Sequence, residues 1–166
     1  MSKNVGKITL IFSIFAVTQC AVLLAMISYS QFEIINPPEF STVFSVRRMI
    51  GALLFGPFVE TFIFQFIVIE STIYLCALSN KITIKVSNTL AISFSFIVFS
   101  AAHYFFNGTY NLIVAGIPGG LALGYIYMNF RKYRKSEAFF CTWIFHAVTN
   151  LYIDGMFYFY YKLLVG

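Results

Sequence analysis

Charge is what this sequence has least of. Of 166 residues, 11 are Lys or Arg and 6 are Asp or Glu, so 10% are charged, against 60% hydrophobic and 20% aromatic. So little polar surface cannot cover a soluble globule, and the solvent for such a chain is lipid. Cysteine is scarce as well. Cys20, Cys76 and Cys141 lie in three different apolar segments with no CxxC pair, which argues against a disulfide framework and a thiolate zinc site. The formal charge of +5 does not point to nucleic acid. Its basic residues sit in short loops between apolar runs, where the membrane potential and anionic lipids favour them.

What is there instead is a succession of apolar stretches near or above the ~20 residues that cross a bilayer as a helix. The expectation is an all-α, polytopic transmembrane helix bundle of about five spans, forming a single membrane domain over residues 1–166. A first span over 8–29, introduced by Lys3 and Lys7, is expected to be retained rather than cleaved. Residues 30–48, broken by Asn36-Pro37-Pro38, read as an interfacial segment, and 49–166 as the core. The run over 49–78 exceeds one span and must tilt, protrude or kink at Gly56-Pro57. A loop over 79–87 leads to a third span ending near Phe106, and Asn107-Gly108 makes a turn rather than a used glycosylation sequon. The fourth span, 110–130, carries Gly116, Pro118, Gly119, Gly120 and Gly124, which let another helix approach closely. The basic string Arg131-Lys132-Tyr133-Arg134-Lys135 ends it, and a fifth span runs from 138 to about 164 with Asp154-Gly155 as an interruption. With the amino terminus inside, the positive-inside rule places Lys81, Lys85 and the 131–135 string in the cytoplasm.

An ionised side chain at the centre of a membrane helix costs on the order of 3 kcal/mol and usually faces protein or water for a reason. Glu60 lies well inside its run, whereas Glu70 is nearer the inner end. His103 follows Phe99-Ser100-Ala101-Ala102, small residues that leave room for a neighbouring helix. His146 and Asn150 share one helical face. Singly, each reads as a hydrogen-bonded structural residue. Together, one carboxylate, two imidazoles and one carboxamide on three spans can converge only by bringing those spans together, and that convergence suits hydrolysis. A sheltered carboxylate serves as general base, an imidazole holds the water, and donors on a third helix stabilise an oxyanion.

Glu60-Thr61-Phe62-Ile63-Phe64-Gln65, Phe99-x-x-x-His103 and His146-x-x-x-Asn150 fall in the order of three known motifs. The chain resembles the CPBP family, the CAAX proteases and bacteriocin-processing enzymes, whose members show EExxxR, FxxxH and HxxxN or HxxxD on successive transmembrane helices. The glycine-spaced stretch from Gly116 to Tyr127 is similar to a helix these proteins carry, and the resemblance spans residues 56–152. Thr61 stands where the family has its second glutamate and Gln65 where it has arginine. Net charge is thereby unchanged, with a neutral pair able to hydrogen-bond in place of an ion pair.

The resemblance implies an intramembrane endopeptidase acting on a peptide or membrane-anchored protein, in which Glu60 and His103 activate water while His146 and Asn150 stabilise the tetrahedral intermediate. Thr61, Gln65 and Phe99 are the motif neighbours. It leaves two mechanisms open: hydrolysis with no cofactor, which the absence of an HExxH helix favours, or a divalent metal such as zinc on Glu60, His103 and His146. The chain's size is that of bacterial members, which implies a bacterial plasma membrane. The competing reading is a non-catalytic binding or immunity protein of the same fold; an ion path through Glu60 and the histidines needs a wet route that five spans hardly provide. One tension is visible. At ~1.5 Å per residue His146 lies about a dozen ångströms into its run, while His103 lies near the far end of its own. They meet only if the third span starts deeper, the fifth starts before Ala138, or the bundle tilts.

Overall fold

The apolar run over 49–78 folds as a single helix whose winding changes along its length. A computed structural model of the chain describes residues 50–79 and 81–165, all within the unit Phe40–Gly166. The span expected over 8–29, the interfacial segment over 30–48 and Cys20 lie outside the described residues. Helix α1, residues 51–77, has four stretches: π-helical Gly51–Phe55, α-helical Gly56–Glu60, π-helical Thr61–Ile67 and α-helical Val68–Ala77. Phe55, Glu60 and Ile67 at the junctions keep right-handed helical angles, so this is one continuous helix.

The first π stretch is how the helix accommodates Pro57. Proline has no N–H to donate, and a kink was one expectation at Gly56-Pro57. Instead the Gly56 N–H reaches five residues back to the Gly51 carbonyl, and Pro57 lies at the start of the following α stretch, just past this wider turn. The device recurs: π-helical Leu112–Gly116 precedes helix α3, Ile117–Arg131, which has Pro118 in its first turn.

Helix α2, Ile84–Asn111, is interrupted at Gly108, whose φ of 80° and ψ of −176° lie outside the helical region. That left-handed φ suits glycine, and it makes the turn expected at Asn107-Gly108. Helix α4, Lys135–Val165, begins before Ala138 and passes through Asp154-Gly155 without the expected interruption. Helical propensity there is set by the long apolar context, which one glycine weakens by only about 1 kcal/mol.

No strand occurs among the described residues, and the bundle is all-helical. Leu53–Ala77 and Ile84–Phe106 are long and apolar enough to cross a membrane. These are the two such helices among the described residues, against about five spans expected over the whole chain. The distribution of side chains is inverted relative to a soluble protein. Phe55, Leu75, Ile97, Phe105, Ile144 and Val148 are exposed, while Thr61, Gln65, Ser95, Ser100, Thr142 and His146 are buried. Polar groups turned inward and large apolar groups turned outward fit a lipid surrounding.

Helices in lipid associate through close packing and polar contacts rather than through the hydrophobic effect. Here α1 and α4 join through aromatic edges: Phe58 stands 5.2 Å from Phe139 and 5.5 Å from Trp143 between ring centroids, both near 90°. The Trp143 indole N–H donates to the Leu54 carbonyl at 3.2 Å. Ile69, Ala91, Tyr127, Ala138 and Phe139 form the apolar core, one or more from each helix. Ala91 stands two turns into α2 while Ala138 stands one turn into α4, so α2 starts lower in the bundle. That offset removes about half of the difference in depth between His103 and His146 that their positions along the two helices imply.

Candidate active site

Glu60 closes the first α stretch of α1, His103 lies on α2 one turn before the Gly108 break, and His146 lies in the first half of α4. All three point to one place. Glu60 Oε2 stands 3.6 Å from His146 Nε2 and 3.9 Å from His103 Nε2. The glutamate side chain keeps a third of its surface open, at 33%, while His146 keeps 7%. The site therefore has a closed floor at α4 and an open side at α1.

Both imidazoles are held from behind. His103 Nδ1 donates to the Phe99 carbonyl at 3.0 Å, the i−4 partner that the FxxxH spacing provides. The Phe99 ring, 1% exposed, lies 4.3 Å from the His103 ring and 5.9 Å from that of His146, a wedge between the two histidines. His146 Nδ1 pairs with Thr61 Oγ1 at 3.4 Å. Thr61 begins the second π stretch, a winding often found at functional sites, and its side chain is fully buried.

The third helix sets how close His103 can come. A Cβ on Gly116 would lie 3.1 Å from His103 Cβ and 3.2 Å from Ser100 Cα, tighter than a side chain tolerates without movement. Ser100 Oγ donates to the Gly116 carbonyl at 2.9 Å and fixes that approach. The room expected beside Ser100-Ala101-Ala102 is thus filled by the backbone at Gly116, the last residue of the π stretch that leads into α3. The Ser100–Gly116 bond itself had no signal beyond the small residues on both sides.

Asn150 and Gln65 are the remaining motif residues. Asn150 is half-buried, one turn beyond His146 on the same face of α4. Gln65 is fully buried, and neither its Nε2 nor its Oε1 has a hydrogen-bond partner. The expected hydrogen-bonded Thr61–Gln65 pair is therefore not formed. Thr61 instead turns its hydroxyl across the helix interface to His146.

Glu60, His103 and His146 are all of a chemical type that can bind a metal. Donors around tetrahedral zinc at about 2.0–2.1 Å stand on the order of 3.3 Å from one another. The 3.6 and 3.9 Å separations here are wider, and among the described residues no three His, Cys, Asp or Glu side chains form a metal-holding group. As placed, the residues do not fit zinc.

A second polar cluster was not foreseen. Glu70, two to three turns along α1, accepts from Arg131 Nε at 2.6 Å, Arg131 Nη2 at 3.0 Å and the Tyr127 hydroxyl at 3.1 Å, and pairs with Lys135 Nζ at 2.7 Å. It ties the end of α1 to the end of α3 and the start of α4. Tyr127 and Arg131 share a face at i,i+4, but no local pattern names their partner on another helix.

No curated protein and no solved structure matches the chain. A family model does: the one described as type II CAAX prenyl endopeptidase Rce1-like matches residues 42–152, more than half of the sequence. The matched stretch contains Glu60, Thr61, Gln65, Phe99, His103, His146 and Asn150, and the chain belongs to this Rce1-like family of membrane proteases, within the CPBP group.

Proposed function

We propose that this protein is an intramembrane endopeptidase that hydrolyses a peptide bond in a peptide or membrane-anchored substrate. The observation that carries the reading is the approach of two imidazole nitrogens, from two different helices, to one carboxylate oxygen of Glu60.

The chemistry follows from which atoms bear protons. A carbonyl oxygen only accepts, so the bond to Phe99 puts the proton of neutral His103 on Nδ1 and leaves a lone pair on Nε2. That lone pair faces the Glu60 carboxylate at 3.9 Å, too far for a direct hydrogen bond and suited to a water that donates one hydrogen to each. A water held this way keeps its own lone pairs free for attack. Glu60 takes a proton as the oxygen adds to the scissile carbonyl carbon, and later delivers it to the departing amine. His146 and Asn150, on α4, stabilise the oxyanion. No metal or other cofactor takes part in this scheme.

The protein sits in lipid with its amino terminus and the 131–135 string in the cytoplasm, in a bacterial plasma membrane. Candidate substrates are lipidated proteins and secreted peptides, including bacteriocin precursors; nucleic acid is not a partner. The test is a cleavage assay in vesicles on such candidates, for wild type, Glu60→Gln and His103→Ala, with and without a chelator. Cleavage by wild type alone, unaffected by chelator, is the expected result. Undiminished processing by both variants removes the catalytic assignment.

A binding reading draws support from Thr61 and Gln65, neutral where the family carries charge. It expects activity in cells to survive Glu60→Gln and to fail when Gly116 or Gly120 is made bulky.

A further inference from the structure

Thr61 uses its hydroxyl unlike the other threonines with side-chain bonds. Thr72, Thr89 and Thr149 each donate to the carbonyl four residues back, at 2.7, 3.1 and 2.8 Å, and Thr83 Oγ1 accepts from the nearby Val86 N–H at 3.4 Å. Thr61 Oγ1 pairs with His146 Nδ1, 85 residues away in the chain, and both side chains are buried. A buried O–H left without an acceptor is destabilising, which decides the direction of this bond.

Two proton arrangements are open to it. If neutral His146 carried its proton on Nδ1, Thr61 would accept, its own O–H would lack an acceptor, and the bare Nε2 would face the Glu60 carboxylate, lone pair against lone pair. If Thr61 donates to Nδ1, the proton of His146 lies on Nε2 and points at Glu60 Oε2, 3.6 Å away. The second arrangement gives both the Thr61 hydroxyl and His146 Nδ1 a partner, and it turns an N–H rather than a lone pair toward the Glu60 carboxylate, at a distance beyond a direct hydrogen bond.

We infer that Thr61 is a positioning residue that holds His146 in the Nε2–H tautomer, opposite to the Nδ1–H tautomer that Phe99 imposes on His103. The two histidines then have distinct roles: His103 presents a base to the water, and His146 presents a donor to the developing oxyanion. The division of roles rests on the protease reading. The tautomers themselves do not.

The sequence offers a direct measurement, because it contains only 2 histidines. Tag-free protein labelled with ¹⁵N-histidine, reconstituted in lipid at mildly alkaline pH where both rings are neutral, gives nitrogen spectra of two rings, assigned with the His103→Gln variant. One ring protonated on Nδ1 and the other on Nε2 is the expected result. Thr61→Ser retains the pattern, whereas Thr61→Val, which keeps the shape and removes the hydroxyl, moves the His146 proton off Nε2. Two rings with the Nδ1–H tautomer in wild type overturn the inference, as does a His146 spectrum that Thr61→Val leaves unchanged. On a cleaved substrate, Thr61→Val lowers kcat on the order of 10²-fold with little change in KM, and Thr61→Ser restores it. If the protein cleaves nothing, the spectra still decide the tautomers.

Discussion

Glu60 and Glu70 lie on the same helix, ten positions apart, and their surroundings differ in kind. Glu70 accepts from a guanidinium and a phenol and pairs with an ammonium, all between 2.6 and 3.1 Å. Its charge is matched and its oxygens are engaged. Glu60 meets only two imidazoles, at 3.6 and 3.9 Å, and keeps more of its surface open. A carboxylate saturated by cations is a fastening. One flanked by weak bases at slightly more than bonding distance retains the capacity to take a proton, which is what separates a reactive group from a structural one.

The sharpest way to break this contrast is to remove both carboxylates in turn. Glu60→Gln is expected to lower cleavage by roughly 10²–10⁴-fold while leaving thermal stability in detergent close to wild type. Glu70→Gln is expected to do the reverse. It leaves Arg131 and Lys135 without their counter-charge and lowers unfolding stability by about 1–3 kcal/mol, with cleavage per folded molecule retained. A Glu70 variant that is stable but inactive would erase the distinction.

Smaller effects should grade with distance from Glu60. Gly116→Ala places a methyl 3.1 Å from His103 Cβ, so the imidazole must shift, and a fall in kcat of about 10-fold is expected in steady-state cleavage. Gly124→Ala meets only Ile92 and Ser95 atoms at 3.6 Å, ordinary packing distance, and is expected to leave both cleavage and melting temperature nearly unchanged. Equal losses from the two alanines would mean that α3 acts as a uniform packing surface rather than as a setting for His103.

Much of the site was legible because ionisable residues in an apolar helix are costly. Glu60, His103 and His146 stand out on those grounds, their order fits three motifs, and the helices do bring them together. The helical class and the Asn107-Gly108 turn were readable for similar reasons, one from hydropathy and one from glycine's access to positive φ. What stayed hidden depends on partners across helices. Nothing near Thr61 reveals that its hydroxyl goes to His146 instead of Gln65. Nothing near Glu70 names Arg131 and Lys135, which by sequence are simply charges between two apolar runs. The π stretches were hidden for another reason, since hydropathy has no means of telling five-residue from four-residue bonding when both faces are apolar.

That winding carries a consequence for how related chains should be aligned. A π stretch absorbs one residue more than an α-helix needs for the same rotation, so Thr61–Ile67 is slack stored between two bearings. Rewound as an α-helix at constant length, the segment would swing Glu70 by about 100° relative to Glu60 and away from its cations. With one residue deleted within 62–67, the same rewinding would keep both glutamates on their present headings. The interval between them is therefore free to differ by one among chains that conserve both sites, and an alignment that forbids a gap there would pair the wrong residues.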